Sequence, residues 1–224
     1  MLNENDVKYI THVFTFWDKL NDNQKKSILN NTEPVQYKKG TTIHAGDNDC
    51  VGVLIVKKGE LRVYMLSEEG KDITLYRLRD GDICTLSASC ILKNITFDVN
   101  IDAETDCDIL QLDAMFYKQL CNKNIYAENF SQKVVIERFS DVMWTIEQIL
   151  FMSFDKRLAI FLSDEMNRKQ MDIIELTHEQ IAKYVGSARE VVSRMLKYFA
   201  SEGIVELSRG GVKIIDKKKL KRLI

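Results

Sequence analysis

The chain has 224 residues, 45% hydrophobic and 29% charged, the composition of a folded globular protein of one or two domains and not of a disordered or collagen-like chain. Its net charge of -1 hides an asymmetry: Met171–Ile224 carries eleven Lys and Arg against seven Asp and Glu while the rest is acidic, which points to an anionic partner, nucleic acid. No apolar run approaches the ~20 residues of a membrane span, and the acidic start Leu2-Asn3-Glu4-Asn5-Asp6 lacks the apolar core of a secretory signal, so an integral membrane protein is excluded and a cytoplasmic one expected.

In chain order, Val13-Phe14-Thr15-Phe16-Trp17 and Leu20–Leu29 read as helical packing elements. From Val35 to about Leu112, short β-rich runs alternate with glycine turns. The runs are Thr41–Ile43, Val51–Val56, Leu61–Met65, Ile73–Tyr76, Val99–Ile101 and Ile109–Leu112; Gly40, Gly46, Gly59, Gly70 and Gly81 lie between or beside them, where a turn needs positive φ. Regularly spaced short strands predict a β-sandwich or barrel. His44, beside the Gly46 turn, reads as a surface hydrogen-bonding group. The five cysteines (Cys50, Cys84, Cys90, Cys107, Cys121) are odd in number and scattered, and read as thiols, not a disulfide framework.

After about Tyr126 the period changes. Val135, Phe139, Val142, Ile146 and Ile149 recur at steps of 4, 3, 4 and 3, the a/d seam of a coiled coil, with no proline to interrupt it. One long helix is predicted, its seam pairing with a second subunit and Met143 and Leu150 forming a flank able to cover the β domain. The alternative is a long core helix within one chain.

Leu176–Phe199 carries the most information. Thr177 with Gln180 and Ser187 with Glu190 are each spaced as a capping box, and Val185-Gly186-Ser187 makes a tight turn with glycine where the first helix ends. This is a helix-turn-helix pattern. Val191 or Val192, Met195, Leu196 and Phe199 can bury one face of the second helix, leaving Arg189, Glu190, Ser193 and Arg194 outward as base readers. Arginine in a first helical turn opposes the macrodipole, which favours a DNA role over a stabilising one. Beyond Gly203, Ile204–Leu207 and Val212–Ile215 flank Ser208-Arg209-Gly210-Gly211, a hairpin that would form a wing. Thr177, His178, Ser187, Lys197, Arg209 and Lys213 join the four base readers as expected DNA contacts. The alternative is a small helical subdomain with surface charges.

The run Thr177-x-Glu179-x-Ile181-Ala182-x-x-Val185-Gly186-x-x-Arg189-Glu190-x-Val192-x-Arg194-x-Leu196, then Gly203-Ile204-Val205, resembles the CRP/FNR family of bacterial transcription regulators. The turns Lys39-Gly40, Gly46-Asp47, Gly59-x-Leu61-x-Val63-Tyr64, Glu69-Gly70 and Gly81-Asp82 extend the resemblance over nearly the whole chain. It implies an α+β chain: a jelly-roll-like β-roll of the cyclic-nucleotide-binding-domain fold at 1–125, a dimerisation helix at 126–153 and a winged helix-turn-helix at 154–224. It also implies a homodimer on an inverted-repeat operator in double-stranded DNA, with RNA polymerase as a further partner. Members with a similar Glu-x-x-Ser-Arg arrangement look like they read TGA half-sites.

The sequence departs from the cAMP-binding pattern that the resemblance implies. Thr85-Leu86 stands where a Gly-Glu pair would hold ribose, and Phe97-Asp98 where an Arg-Ser pair would hold phosphate. A buried Asp98 carboxylate would repel a phosphodiester, so the expected effector is not cAMP and its identity stays unknown. Iron–sulfur and haem sensing fit poorly, since no cysteine precedes Cys50 and only His12 and His44 lie outside the DNA-binding segment. The expected pocket is Cys84, Thr85, Leu86, Ser87, Ser89 and Cys90, with Phe97. Cys84 and Cys90 suit a ligand, metal or redox role, or are small core fillers. No nucleophile–base pair, metal-spaced histidines or phosphate loop points to an enzyme. The rival to a transcription regulator is a ligand-binding β-roll whose C-terminal helices dock a protein.

Overall fold

The computed structural model describes residues 2–46, 50–85, 87 and 98–224. They form two compact units, Met1–Leu66 with Leu75–Val142, and Ser67–Thr74 with Met143–Ile224.

The first unit opens with α1 (Glu4–Val13), capped by a reciprocal Asn3/Asp6 box, a 3-10 turn at Trp17–Lys19, and α2 (Asp22–Asn30), capped by Asn21/Gln24. Eight strands follow: β1 (Thr32–Tyr37), β2 (Thr42–Ala45), β3 (Val53–Lys58), β4 (Leu61–Leu66), β5 (Asp72–Leu78), β6 (Ile83–Cys84), β7 (Asn100–Ala103) and β8 (Cys107–Leu112). They make two four-stranded sheets, β1-β8-β3-β6 and β2-β7-β4-β5. Leu54, Val56, Leu61, Val63, Leu78, Ile101 and Ile109 fill one core of this unit, while Phe14, Ile28, Ile55, Leu110 and Tyr117 belong to a second, against the helices. Glycine is required at Gly59, at φ 107, where an added Cβ would lie 2.6 Å from the Cys107 Sγ and 2.7 Å from the Asp106 carbonyl oxygen. The helix α3 (Ala114–Lys123) follows, and the 27-residue α4 (Ile125–Phe151), about 40 Å long, begins in this unit and runs on past Val142 into the second.

Three expectations are corrected here. His44 is 2% exposed, because the β2–β7 register shifts between Thr42 and His44 and turns both Ile43 and His44 inward; its Nδ1 has no hydrogen-bond partner. The exposed Cys50 is disulfide-bonded, a pairing set by proximity in space that chain spacing does not reveal. On α4, Val142 packs against the sheet core and Ile149 is half-buried, instead of both facing outward. The exposed row is Ile136, Phe139, Met143, Ile146 and Leu150, again at steps of 3 and 4, and Ile136, Phe139 and Leu150 are each about two-thirds exposed (65%, 64% and 66%). Val135 flanks it.

The second unit comprises α5 (Phe154–Lys169), β9 (Ile173–Ile174), α6 (His178–Val185), α7 (Arg189–Ser201), β10 (Val205–Ser208), β11 (Gly211–Ile214) and α8 (Lys217–Arg222). Its sheet has the order β10-β11-β9. Leu158, Leu162, Ile174, Ile181, Val192, Leu196, Phe199, Val212 and Leu220 are fully buried in one core, so each helix of the unit contributes an apolar stripe to it. The segment 67–74 belongs to this unit: the Thr74 hydroxyl donates to the Lys183 carbonyl at 3.0 Å, and Asp72 lies 3.5 Å from the Lys183 Nζ. Among the described residues no helix is long and apolar enough to cross a membrane.

Candidate nucleic-acid interface

Thr177 and Gln180 cap α6 reciprocally. The Gln180 N–H donates to the Thr177 Oγ1 at 3.2 Å and the Thr177 N–H to the Gln180 Oε1 at 2.9 Å. Gly186, at φ 59, closes α6, and the Gly186 and Ser187 N–H groups both donate to the Ala182 carbonyl. That closure occupies Ser187, so the expected Ser187 box does not form. Ala188 is the N-cap of α7 and makes no side-chain bond. From α5, the Arg157 guanidinium donates to the Val185 carbonyl at 3.1 Å, and Phe161 stacks on Tyr184 at 5.4 Å, which holds the first helix of the pair in place.

α7 buries Val192, Leu196 and Phe199 and partly covers Met195. Its outward side carries Arg189, Glu190, Arg194 and Lys197, all exposed, with Ser193 half-buried beside them. His178, at the first turn of α6, is half-buried. Desolvation, then the charges of Arg189 and Lys197, hold its pKa below the usual histidine value of 6.5. The β10–β11 hairpin pairs Val205 with Ile214 and Ser208 with Gly211, leaving Arg209 and Gly210 (φ 87) at an exposed tip. Lys213 stands opposite Glu206, 3.8 Å away across the hairpin, and is partly neutralised by it. Two exposed features were not expected from the sequence. Tyr198 is 53% exposed on α7, and α8 presents a row of cations whose only advance signal was the basic excess of the segment.

In the sensor unit, Cys84 and Thr85 are buried, Cys84 lies in the sheet core outside any disulfide, and the Thr85 hydroxyl has no hydrogen-bond partner. Ser87 is also buried, but its hydroxyl donates to the Gly52 carbonyl at 2.6 Å and ties a loop together. Leu86, Ser89, Cys90 and Phe97 lie outside the described residues. Asp98, expected inside, is exposed: alternation along Val99–Ala103 puts Val99, Ile101 and Ala103 in the core and Asp98 on the other side. Facing Tyr76 from α4 is Arg138, its guanidinium 5.4 Å from the ring centroid, with the carboxylates of Asp82 (3.3 Å) and Asp141 (3.0 Å) already bound to it. Burial pushes the Tyr76 phenol well above its usual range. Among the described residues no cluster of three or more His, Cys, Asp or Glu could hold a metal.

Residues 156–223 match the Crp-like helix-turn-helix domain, and residues 34–124 the cyclic nucleotide-binding domain. A crystal structure of a transcriptional regulator of the CRP/FNR family from Eubacterium rectale superposes with a TM-score of 0.91 at 48% identity, covering 95% of this chain and 98% of that one. The probable transcriptional regulator flp of Lacticaseibacillus casei is 27% identical over 215 residues, 92% of this chain and 94% of the relative. The cAMP-activated global transcriptional regulator CRP of Haemophilus influenzae is 24% identical over 173 residues, 75% of this chain and 76% of the relative.

Proposed function

Because the chain belongs to the CRP/FNR family of transcription regulators and carries its DNA-binding helix-turn-helix, we propose that it acts as a homodimer on an inverted-repeat operator, controlled by an effector other than cAMP. The observation that carries the DNA part of this reading is α7. One face is sealed into the core by Val192, Leu196 and Phe199, and the other offers Arg189, Glu190 and Arg194 on the N-terminal half that enters a major groove. Arg194 can donate a bidentate pair to guanine and Glu190 can accept from a cytosine amino group, while we read Lys197, His178, Thr177, Ser187, Arg209 and Lys213 as the phosphate contacts. The exposed apolar row of α4 supports the dimer, since a continuous a/d stripe facing water is a surface that a second copy would cover. RNA polymerase is the further partner that family membership implies.

The Haemophilus relative is cAMP-activated; three features turn this chain from that ligand. Leu86, standing in the sequence where the ribose-holding glutamate would be, offers no carboxylate. The Arg138 guanidinium is already committed to Asp82 and Asp141. Phe97 stands in the sequence where the phosphate-holding arginine would be, although Asp98, being exposed, does not itself repel a bound phosphodiester as the sequence led us to expect. Selection of binding sites from random duplexes, run with and without cAMP, tests both halves. An enriched inverted repeat bound equally in both conditions is expected. No enriched repeat would overturn the operator reading, and a cAMP-dependent affinity would overturn the effector reading.

A further inference from the structure

We propose that α8 is a second cationic contact to the operator, seated on phosphates outside the half-site that α7 reads. Five of its six residues are cations, Lys217, Lys218, Lys219, Lys221 and Arg222, and all five are exposed, while the sixth, Leu220, is fully buried and anchors the helix in the core. Asp216 caps it, accepting from the N–H groups of Lys218 and Lys219 at 2.9 Å, so the cationic face is held in a defined place.

Two of the cations fix where that place is. Lys219 donates through its Nζ to the Glu202 carbonyl at 2.9 Å, at the C-terminal end of α7, and Lys217 pairs with Asp172 at 2.7 Å. Lys218, Lys221 and Arg222 form no salt bridge among the described residues. The 13 residues of α7 span about 20 Å, against a major groove about 12 Å wide. With the N-terminal half of α7 on the base edges, its C-terminal end, where α8 is pinned, stands at or past the groove rim, over the sugar–phosphate backbone. The outward face of α8 is cationic throughout and supplies no aromatic or aliphatic anchor of the kind a protein hot spot uses, which favours phosphate over an acidic protein surface.

The proposal rests on the reading of α7 as the groove-inserted helix, and the test separates the two. The selected operator is prepared as a duplex trimmed to the inverted repeat, and as the same repeat with about 10 bp of unrelated sequence at each end, one further helical turn. Wild-type protein is expected to bind the longer duplex more tightly and with a steeper salt dependence. The triple variant Lys218→Gln/Lys221→Gln/Arg222→Gln is expected to bind both duplexes alike, with unchanged affinity for the trimmed operator and unchanged melting temperature. Each lost phosphate contact flattens the slope of log K against log salt by about 0.9, so up to about 5 for three contacts in each subunit of a dimer. Equal wild-type slopes on the two duplexes would overturn the proposal without needing any variant. So would a triple variant that keeps the wild-type slope, or one that binds DNA normally but loses affinity for a poly-glutamate probe, which would make α8 a docking surface for acidic protein. Failure of the wild type to bind either duplex would overturn the reading of α7, and this proposal with it.

Discussion

Glu190 stands two residues past the Ala188 cap of α7, one short of the position from which a carboxylate closes a capping box. The closure of α6 on Ala182 takes Ser187 out of capping, so Glu190 has no reciprocal partner there and its exposed side chain is left for recognition. Glu190→Gln is therefore expected to keep the wild-type melting temperature and relax preference at one base pair by about 1–3 kcal/mol, read by competition among single-base operator variants. Arg194→Ala is expected to weaken specific binding far more than non-specific binding; equal losses on both would mark it as a phosphate contact. His178 gives a pH signature. Its pKa is depressed, so at pH 7 it is neutral, and folding stability falls as pH drops from 6.5 through its folded-state pKa, because the unfolded chain takes up the proton first. Desolvation is the larger cause and the Arg189 and Lys197 charges the smaller; DNA phosphates bound beside them would offset the second, coupling binding to proton uptake. Affinity is expected to rise on acidification below pH 6.5, by less than about tenfold per pH unit, the ceiling for one proton, and His178→Gln is expected to flatten the profile. A wild-type profile already flat would exclude this contact. Residue types at α7 were legible because helical period separates the buried Val192, Leu196 and Phe199 from the rest. His44 was not, since a one-residue bulge reverses which side faces inward, and a bulge has no period.

Element by element, legibility followed the strength of the period. The strands around Val53–Val56 and Leu61–Val63 announce themselves by their apolar, β-branched runs between glycine turns, whereas β1 is interrupted by Glu33-Pro34 and went unread. Its proline is tolerated because β1 is an edge strand of its sheet. α8 was hidden for another reason: one leucine in six residues makes no pattern, and only the buried Leu220 shows that the run folds against a core. For α4 the existence and extent of the helix were legible, but the register was one position off, because the rows containing Val142 and Met143 both repeat at steps of 3 and 4. Packing decides between them: Val142 goes to the sheet core, while Phe139 and Ile146, which the two rows share, stay exposed with Met143. The corrected row predicts the behaviour of variants. Phe139→Asp with Ile146→Asp places like charges opposite each other across a two-fold seam and is expected to give monomers at about 10 µM by sedimentation velocity, with the melting transition retained. Val142→Asp instead buries a charge inside the unit and is expected to lower the melting temperature. A Phe139→Asp/Ile146→Asp protein that sediments like wild type would exclude this seam.

At the scale of the whole molecule, the seam and the recognition helix make one joint claim, that the distance between two copies of α7 is set by protein and not by DNA. Two half-sites of an inverted repeat are read together only when their centres lie about one helical turn apart, ~34 Å. Inserting about 5 bp between them moves the second half-site outward by ~17 Å and turns it by half a turn, to the far side of the duplex from its recognition helix. Wild-type affinity is then expected to fall to that of a lone half-site. A dimer loses the effective concentration that made its second contact intramolecular, which is worth 10²–10⁴-fold in such linked binding, about 3–5 kcal/mol. The monomeric Phe139→Asp/Ile146→Asp protein has no such coupling, so it is expected to bind the spaced and unspaced operators alike and to match the wild type on a single half-site. Comparison of the two proteins on the two duplexes isolates the spacing constraint from any change in the reading face, because Arg189, Glu190 and Arg194 are untouched in both. If the wild type tolerated the insertion, the subunits would be joined flexibly or not at all, and the exposed row on α4 would need another occupant.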